Sequence, residues 1–585
     1  MKFVFSYVKE YSWFVALTIL IKTAATFAEL FIPFVLEYLL DEVAPRQDRV
    51  QVFLYGGLML FLTACILVLN IISNKMAVRT SARASLKIRR DLFRKSLLLS
   101  GSAFDTFTLP SITSRMTSDS YNLQDFLRSF QSIGIRAPLM LIGGVTVTMI
   151  MDPGLGVILC IIAPISIIVT VILSFRGIPL YDRVQQSLDK ITLILRENIT
   201  GIRVVKALSK EPYETQRFRS SNDEMVRRDR RAGTIMSLPS PFMTLFLNVG
   251  LIMVVYFGAK AVDSGRTEPG VILAFLTYFN MILTGTMAIG RVLLTISKAS
   301  ASARRISAVI NAPDEFPVLA QDETPAAPGS GHIIFDNVSF AYQEDKGSAS
   351  GEGFVGESRY KALNNISFSV EKGGSLGIIG ATGSGKTTLI NLLMRFYDAS
   401  EGNIFVDGRD IRTYSLEELR SRFSVAFQND MIFAETIREN IRFGRDISEE
   451  NIRKAAADAC AAEFIEEFED AYDRCVAAKG NDLSGGQKQR LSIARALAGN
   501  SEILILDDSF SALDYITDAK VRAAIKENYG CTTIIVAQRV SSIAGLDNIL
   551  VLDEGRIIGY GPHEELLKTC DEYRSIYSVQ TGTEV

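Results

Sequence analysis

Histidine and cysteine are scarce in this chain, and their scarcity excludes several chemistries at once. His332 and His563 are the only imidazoles in 585 residues. The six cysteines, Cys65, Cys160, Cys460, Cys475, Cys531 and Cys570, are widely scattered with no C-x-x-C pair. That spacing supplies neither a metal-ligand set nor a disulfide framework, and it leads us to expect buried thiols in a reducing compartment. An excess of charge of either sign is also lacking. Lys and Arg number 62 against 65 Asp and Glu, a formal net charge of -3, which gives no footing for a nucleic-acid partner. No cleavable leader is evident, because the apolar stretch after Lys2 and Lys9 runs too long and lacks a small-residue cleavage site.

Apolar residues are abundant, at 48% of the chain, and they concentrate before about Ile310. Six apolar stretches stand out: Trp13 to Leu40, Val52 to Ile72, Pro138 to Met151, Leu155 to Phe175, Phe242 to Val262 and Val271 to Ile296. Most approach or exceed the roughly 20 residues that cross a bilayer. The third is short, but Tyr121 to Ile135 can continue its helix beyond the membrane. Membrane lipid is therefore an expected partner. The segments after the second and fourth stretches are rich in Arg and Lys, from Arg79 to Lys95 and from Arg203 to Arg231. The opposite connections carry only Arg46, Arg49 and Arg266. This asymmetry places the long loops, and with them both termini, in the cytoplasm of a multi-pass protein of the plasma (inner) membrane. Apolar residues recur at helical spacing in Ala82 to Leu99 and Asp182 to Phe218, so the membrane helices are expected to extend into the cytosol.

Lys22, Glu29 and Glu37 fall within the first stretch, and steps of seven and eight hold them in a stripe roughly 80° wide. Charges there cost on the order of 2.5 to 3.5 kcal/mol each, so the stripe is expected to face protein or an aqueous cavity. Two readings stay open: a substrate pathway, or a structural Lys22–Glu29 pair with Glu37 near the outer interface.

After residue 312 the composition shifts to Pro, Ala, Gly and Ser, which sets a linker at 313–330 between a membrane domain, 1–312, and a soluble domain, 331–585. The soluble part alternates strand-like runs such as Ile333-Ile334-Phe335, Ile366 to Val370, Asn403 to Val406 and Thr533 to Val536 with helical stretches, an α/β pattern. Gly380-Ala381-Thr382-Gly383-Ser384-Gly385-Lys386-Thr387 fits G-x-x-x-x-G-K-[ST] at every fixed position, after the strand-like Leu376 to Ile379 and before the helical Leu389 to Met394. In that context the amides of residues 380 to 388, Thr388 included, cradle phosphates, Lys386 reaches the outer ones, and the Thr387 hydroxyl can ligate magnesium. Ile503 to Leu506 delivers Asp507 at a strand end, where a carboxylate can hold Mg2+ opposite Thr387. These residues make a P-loop site for ATP.

Leu483-Ser484-Gly485-Gly486-Gln487, just upstream, matches the signature motif of the ATP-binding-cassette (ABC) transporters, and the chain resembles that family. Gln428 after Ala426-Phe427 is similar to its glutamine loop, a magnesium and water contact. Ser511-Ala512-Leu513-Asp514 is similar to its D-loop, and Tyr342 to its adenine-stacking aromatic. Six spans ahead of one cassette resemble an exporter half-transporter over the whole chain. The resemblance implies an all-α transmembrane domain fused to an α/β P-loop ATPase domain. It implies a second half-transporter subunit as partner, with Ser484, Gly485, Gly486 and Gln487 serving the partner's ATP. It also implies short coupling helices at the tips of both cytoplasmic loops, the second around Glu197 to Lys206, and a small amphiphilic or drug-like substrate.

Three departures matter. Where the family has a catalytic glutamate this chain has Asp508, one methylene shorter, and where it has a histidine this chain has Gln538, which cannot carry a proton at neutral pH. A carboxylate set back by about 1 Å can cost around 10²-fold in rate. The resemblance therefore implies one half of a heterodimeric exporter whose own ATP site is degenerate and slow. The third departure is an insert, Glu344 to Ser358, whose Gly and Ser content reads as a surface hairpin and weakens the assignment of Tyr342.

Overall fold

The computed structural model describes residues 2–312, 316–320, 324–342, 361–428 and 431–582. The insert read from sequence at Glu344 to Ser358 lies outside them. The chain divides into two compact units: Met1–Leu97 with Leu109–Ala312, and Leu98–Thr108 with Pro313–Val585.

The first unit is all helix. Among the described residues, six helical segments are long and apolar enough to cross a membrane: Phe3–Val43, Arg49–Leu97, Leu109–Met151, Pro153–Thr200, Glu211–Asp263 and Pro269–Ile310. Each apolar stretch found in the sequence lies inside one of them, in the same order. Their lengths exceed what a bilayer needs. The 49-residue helix Arg49–Leu97 rises about 74 Å, more than twice the roughly 30 Å hydrocarbon core. The short connections have clear local causes. Asp152 leaves the helical region at φ -147°, accepts from Gly154 N and Leu155 N, and so caps the fourth segment, with Pro153 at its first turn. Asp41 accepts from Gly270 N at 2.6 Å, tying the end of the first segment to the start of the sixth. The third and sixth segments are joined by buried Asp119, which takes bonds from Ser302 and the Arg305 guanidinium.

In this unit the structure corrects the Lys22–Glu29 pairing. Lys22, 5% exposed, donates to Asn70 Oδ1 at 2.6 Å and Asn74 Oδ1 at 3.4 Å. Glu29 instead takes two bonds from Arg136 on the third segment, at 2.5 and 3.2 Å. The thiols are also not uniformly buried. Cys570 is, but Cys160 faces outward from a membrane segment and Cys475 is exposed on the second unit.

Among the described residues the second unit carries two sheets. A four-stranded antiparallel sheet runs in the order β2-β1-β4-β5, with β1 Ile333–Ala341, β2 Lys361–Val370, β4 Glu401–Val406 and β5 Arg409–Asp410. A six-stranded sheet runs β10-β9-β3-β8-β7-β6, with β3 Ser375–Gly380, β6 Phe423–Ala426, β7 Ile503–Asp507, β8 Thr532–Val536, β9 Asn548–Asp553 and β10 Arg556–Gly561. β9, β3, β8, β7 and β6 are parallel, and β10 closes the edge antiparallel to β9. All five residues of both β7 and β8 are buried, as a parallel sheet covered on both faces requires, and this explains their unbroken apolar runs. Parallel pairing puts the C-terminal ends of β3, β8, β7 and β6 along one edge of the sheet. That edge is where an open α/β sheet places its ligand.

Candidate functional site

Four consecutive loops at that edge bring most of the sequence-marked residues together. The loop after β3 begins at Gly380, where an added Cβ would stand 2.1 Å from Leu552 O, so no larger residue fits. It ends at Gly385, whose φ of +102° is left-handed and whose Cβ would meet Leu363 at 2.6 Å. Between them Ala381, Thr382 and Gly383 are exposed and Ser384 is buried, with its N–H on Ala381 O at 3.1 Å. The chain then enters the helix Lys386–Leu393. Lys386 folds back over the loop, its ammonium donating to Gly380 O at 2.9 Å and Ala381 O at 2.8 Å. Burial holds that ammonium below its ordinary pKa, opposed by Asp508 and Asp507.

The loop after β7 presents Asp507, 2% exposed, then Asp508, 8% exposed. The Asp507 carboxyl is raised by burial and by the adjacent Asp508, against a bond from the Thr387 hydroxyl and the charge of Lys386. Asp508 sits at φ +49°, anchored by its N–H on Val536 O at 2.9 Å. Its Oδ2 accepts from Gln428 Nε2, from the loop after β6, at 3.0 Å and from Gln538 Nε2, from the loop after β8, at 2.9 Å. Burial raises the Asp508 carboxyl as well, and the two amide bonds, Lys386 and Arg539 pull it back.

A magnesium ion suits this set. Thr387, Asp507 and the Gln428 amide offer only oxygen, the hard donors that Mg2+ takes. The Thr387 hydroxyl already meets the Asp507 carboxylate, and Gln428 spends its nitrogen on Asp508, leaving its oxygen for another partner.

Tyr342 lies beside this loop, its hydroxyl 3.2 Å from Thr388 Oγ1 and its ring set edge-on to Phe340 and Tyr397. The signature residues bond among themselves. Ser484 caps the helix Gly485–Leu497 in a reciprocal box with Gln487, at 3.3 and 2.9 Å. Gly485 and Gly486 pack on Ala512 of the D-loop. Among the described residues, no hydrogen bond joins Ser484, Gly485, Gly486 or Gln487 to residues 380–388. Sequence reasoning missed two residues that join these parts. Gln489 bonds Ser511 Oγ at 2.9 Å and Ala512 N at 2.8 Å, and Arg539 donates to Leu513 O and Ser511 O. Both immediately neighbour marked residues or stand two positions from them, and that proximity was the available signal.

The segment Leu98–Thr108 also belongs to this unit. Its helix Gly101–Phe107 is capped by Ser100, and Gly101 N donates to Phe396 O at 3.1 Å while Tyr397 OH donates to Asp105 at 2.8 Å. The corresponding helix of the other long loop, Ile202–Ala207, leaves Ile202 and Val204 exposed.

A phosphate loop, a buried aspartate at a neighbouring strand end and a capped signature helix, behind six membrane-length helices, define an ATP-binding cassette with a fused membrane domain. Comparison with known proteins agrees over both parts. A model of the ABC transporter transmembrane region matches residues 15–287, and an ABC transporter model matches 363–511. YfiB of Bacillus subtilis, an uncharacterized ABC transporter ATP-binding protein, is 32% identical over 99% of this chain and 98% of its own. The ATP-dependent lipid A-core flippase of Syntrophus aciditrophicus is 33% identical over 84% of this chain and 80% of its own. The structure of a bacterial Atm1-family ABC exporter with ATP bound superposes with a TM-score of 0.82 over 99% of both chains at 24% identity, a likeness of fold. The chain belongs to the ABC transporter family. It is an ABC exporter with fused membrane and ATP-binding domains, and it couples ATP hydrolysis to transport.

Proposed function

We propose that the chain is one subunit of a heterodimeric exporter of amphiphilic or drug-like molecules, in which its own ATP site is the slow one. The bond pattern at Asp508 carries this reading. Both departures from the family pattern, Asp508 and Gln538, meet at a single oxygen, where the short carboxylate accepts two amides. A carboxylate held back by one methylene and occupied by two donors is poorly placed to orient or deprotonate water, and Gln538 offers the γ-phosphate a neutral amide in place of a cation. In this scheme Gly380 to Thr388 with Lys386 hold the phosphates and Tyr342 stacks on adenine. Thr387, Asp507 and Gln428 hold Mg2+, which would neutralise charge developing on the phosphates. Ser484, Gly485, Gly486 and Gln487 close over ATP bound to the partner subunit. That no hydrogen bond joins them to this chain's own phosphate loop among the described residues supports that assignment.

The domains are taken as 1–312, a linker at 313–330, and 331–585. Termini and cassette lie in the cytoplasm and the helices cross the plasma membrane, which the Arg and Lys of the long loops support. Closure of the cassettes on ATP is passed to the membrane helices through Gly101–Phe107 and Ile202–Ala207. A lipid-like amphiphile as cargo is supported by the flippase relative, whose name specifies a lipid. The test is ATP turnover of the purified chain alone and with the unlike subunit that copurifies with it. The proposal expects weak turnover alone and a partner carrying Glu and His at the positions matching Asp508 and Gln538. Equal turnover in both preparations overturns it in favour of a homodimer.

A further inference from the structure

Inside the membrane unit is a cavity of about 540 Å³ whose walls include Met140, Leu251, Phe279 and Asn280 and whose charged residues are Glu29 and Arg136. Most of that lining is apolar. The charged pair is set asymmetrically, since the Arg136 side chain is 41% exposed and that of Glu29 only 21%. Arg136 uses Nε and one Nη2 hydrogen on the two oxygens of Glu29, so each carboxylate oxygen already accepts a charge-assisted bond. A guanidinium has five N–H groups, and the Nη1 edge makes no hydrogen bond among the described residues.

A second cation lies on the same helix as Glu29. Lys22 is buried on two neutral amide oxygens, Asn70 and Asn74, with no carboxylate within ion-pair distance among the described residues. It stands two turns, about 10 Å, from Glu29 along the helix. Neither Lys22 nor Glu37 lines the cavity, so among the described residues the charges that face it are Glu29 and Arg136 alone. Glu37, eight residues and about 12 Å beyond Glu29, is not part of the lining.

We propose that this cavity selects amphiphiles with an anionic oxyanion head, a phosphate or a carboxylate. The head would dock on the Nη1 edge of Arg136, with the tail against Met140, Leu251 and Phe279. A cationic head would have to compete with the Arg136 guanidinium for Glu29, the less exposed member of the pair. The proposal rests on the reading of the chain as an exporter and names the charge of its cargo.

The test is calorimetric titration of the full-length complex, in phosphatidylcholine nanodiscs without ATP. The probes are dodecyl phosphate, dodecyl maltoside, dodecyl trimethylammonium and inorganic phosphate. Dodecyl phosphate is expected to bind at least about 10-fold more tightly than the neutral or cationic probe, the worth of one charge-assisted contact. Arg136→Gln should erase that preference and Arg136→Lys should keep part of it. Glu29→Gln, which frees the guanidinium, should enlarge it. Equal or tighter binding of the cationic probe overturns the proposal. So does an equal loss of dodecyl phosphate binding in Arg136→Gln and Glu29→Gln, which would make the pair purely structural. Inorganic phosphate binding as well as dodecyl phosphate would overturn the amphiphile part and leave a site for free anions. ATP-driven uptake of the probes into vesicles is read separately. Selective binding without uptake would refute the exporter reading and leave the site standing.

Discussion

Replacing Asp508 by glutamate tests the slow-site reading on its own terms. The backbone at Asp508 is pinned by its N–H on Val536 O and by its place after β7, so a longer side chain must advance its carboxylate without moving the chain. One methylene advances it by about 1 Å, the misplacement for which a penalty near 10²-fold is expected. The whole gain is not free to appear. Asp508 is 8% exposed and its Oδ2 holds both Gln428 and Gln538, so the advancing carboxylate must displace or rebond two amides. Asp508→Glu alone is therefore expected to speed ATP cleavage by about 10-fold, or about 1.4 kcal/mol off the barrier. Combined with Gln538→His, which removes one amide and adds a group able to hold a proton, the gain should approach about 10²-fold. The assay is single-turnover cleavage of ATP by the lone chain, where both sites of any self-pair carry the change, with bound nucleotide measured alongside. Unchanged or slower cleavage in both variants at full occupancy would refute the idea that distance at residue 508 limits this site.

Two further outcomes follow from other parts of the molecule. Gly101→Ala would set a Cβ 2.6 Å from Phe396 O and 2.7 Å from Tyr397 Cζ, so it should loosen Leu98–Thr108 and lower vesicle transport by at least about 10-fold; transport at the unaltered rate would contradict the role given to that segment. His332 is buried with Nδ1 2.7 Å from Thr532 Oγ1 and Nε2 3.3 Å from Asp407 Oδ1, and burial lowers its pKa against the opposing pull of Asp407 and Glu502. The fold thus prefers the neutral ring. Its contribution to stability is fully present above the ordinary value near 6.5 and lost as pH falls through that value toward the lower one of the folded chain, so the thermal midpoint should drop between about pH 7 and 5 and His332→Gln should flatten that drop.

The residues legible in the sequence are those whose chemistry demands a fixed local spacing. The phosphate loop and Asp507 after an apolar run are each set by their own neighbours along the chain, so strand, turn and helix follow from the residues themselves. Partners from distant segments left no such trace. Lys22 and Glu29 share a helix face, but seven residues separate them by about 10 Å along the axis, too far for direct pairing. Asn70, Asn74 and Arg136, 48 to 107 residues away, reach them first. Arg136 lies just outside the apolar stretch that begins at Pro138, so hydropathy alone does not mark its charge as intramembrane. Cys160 is exposed because a residue in an apolar span can face lipid as readily as protein. Which loops share the ligand-binding edge depends on the order β3-β8-β7-β6, and that order is set by long-range pairing that periodicity along the chain does not encode.

The central claim is that this chain contributes a slow site of its own and a working signature to its partner. Two substitutions in this one chain separate those contributions. Asp508→Asn preserves shape beside Gln428 and Gln538 while removing the charge. Gly485→Asp adds a carboxylate at an exposed helix start, where a Cβ meets nothing nearer than Ala512 Cβ at 3.7 Å, so the chain's own fold should tolerate it. The measurement is steady-state ATPase of the reconstituted complex carrying each change, with nucleotide occupancy determined separately. The account predicts a modest loss, about 2-fold or less, for Asp508→Asn. For Gly485→Asp it predicts loss of most turnover, because the new carboxylate repels the γ-phosphate of the partner's ATP. The reverse order, with Asp508→Asn the more damaging change, would mean that the Lys386 site is the working one and that aspartate serves as its base.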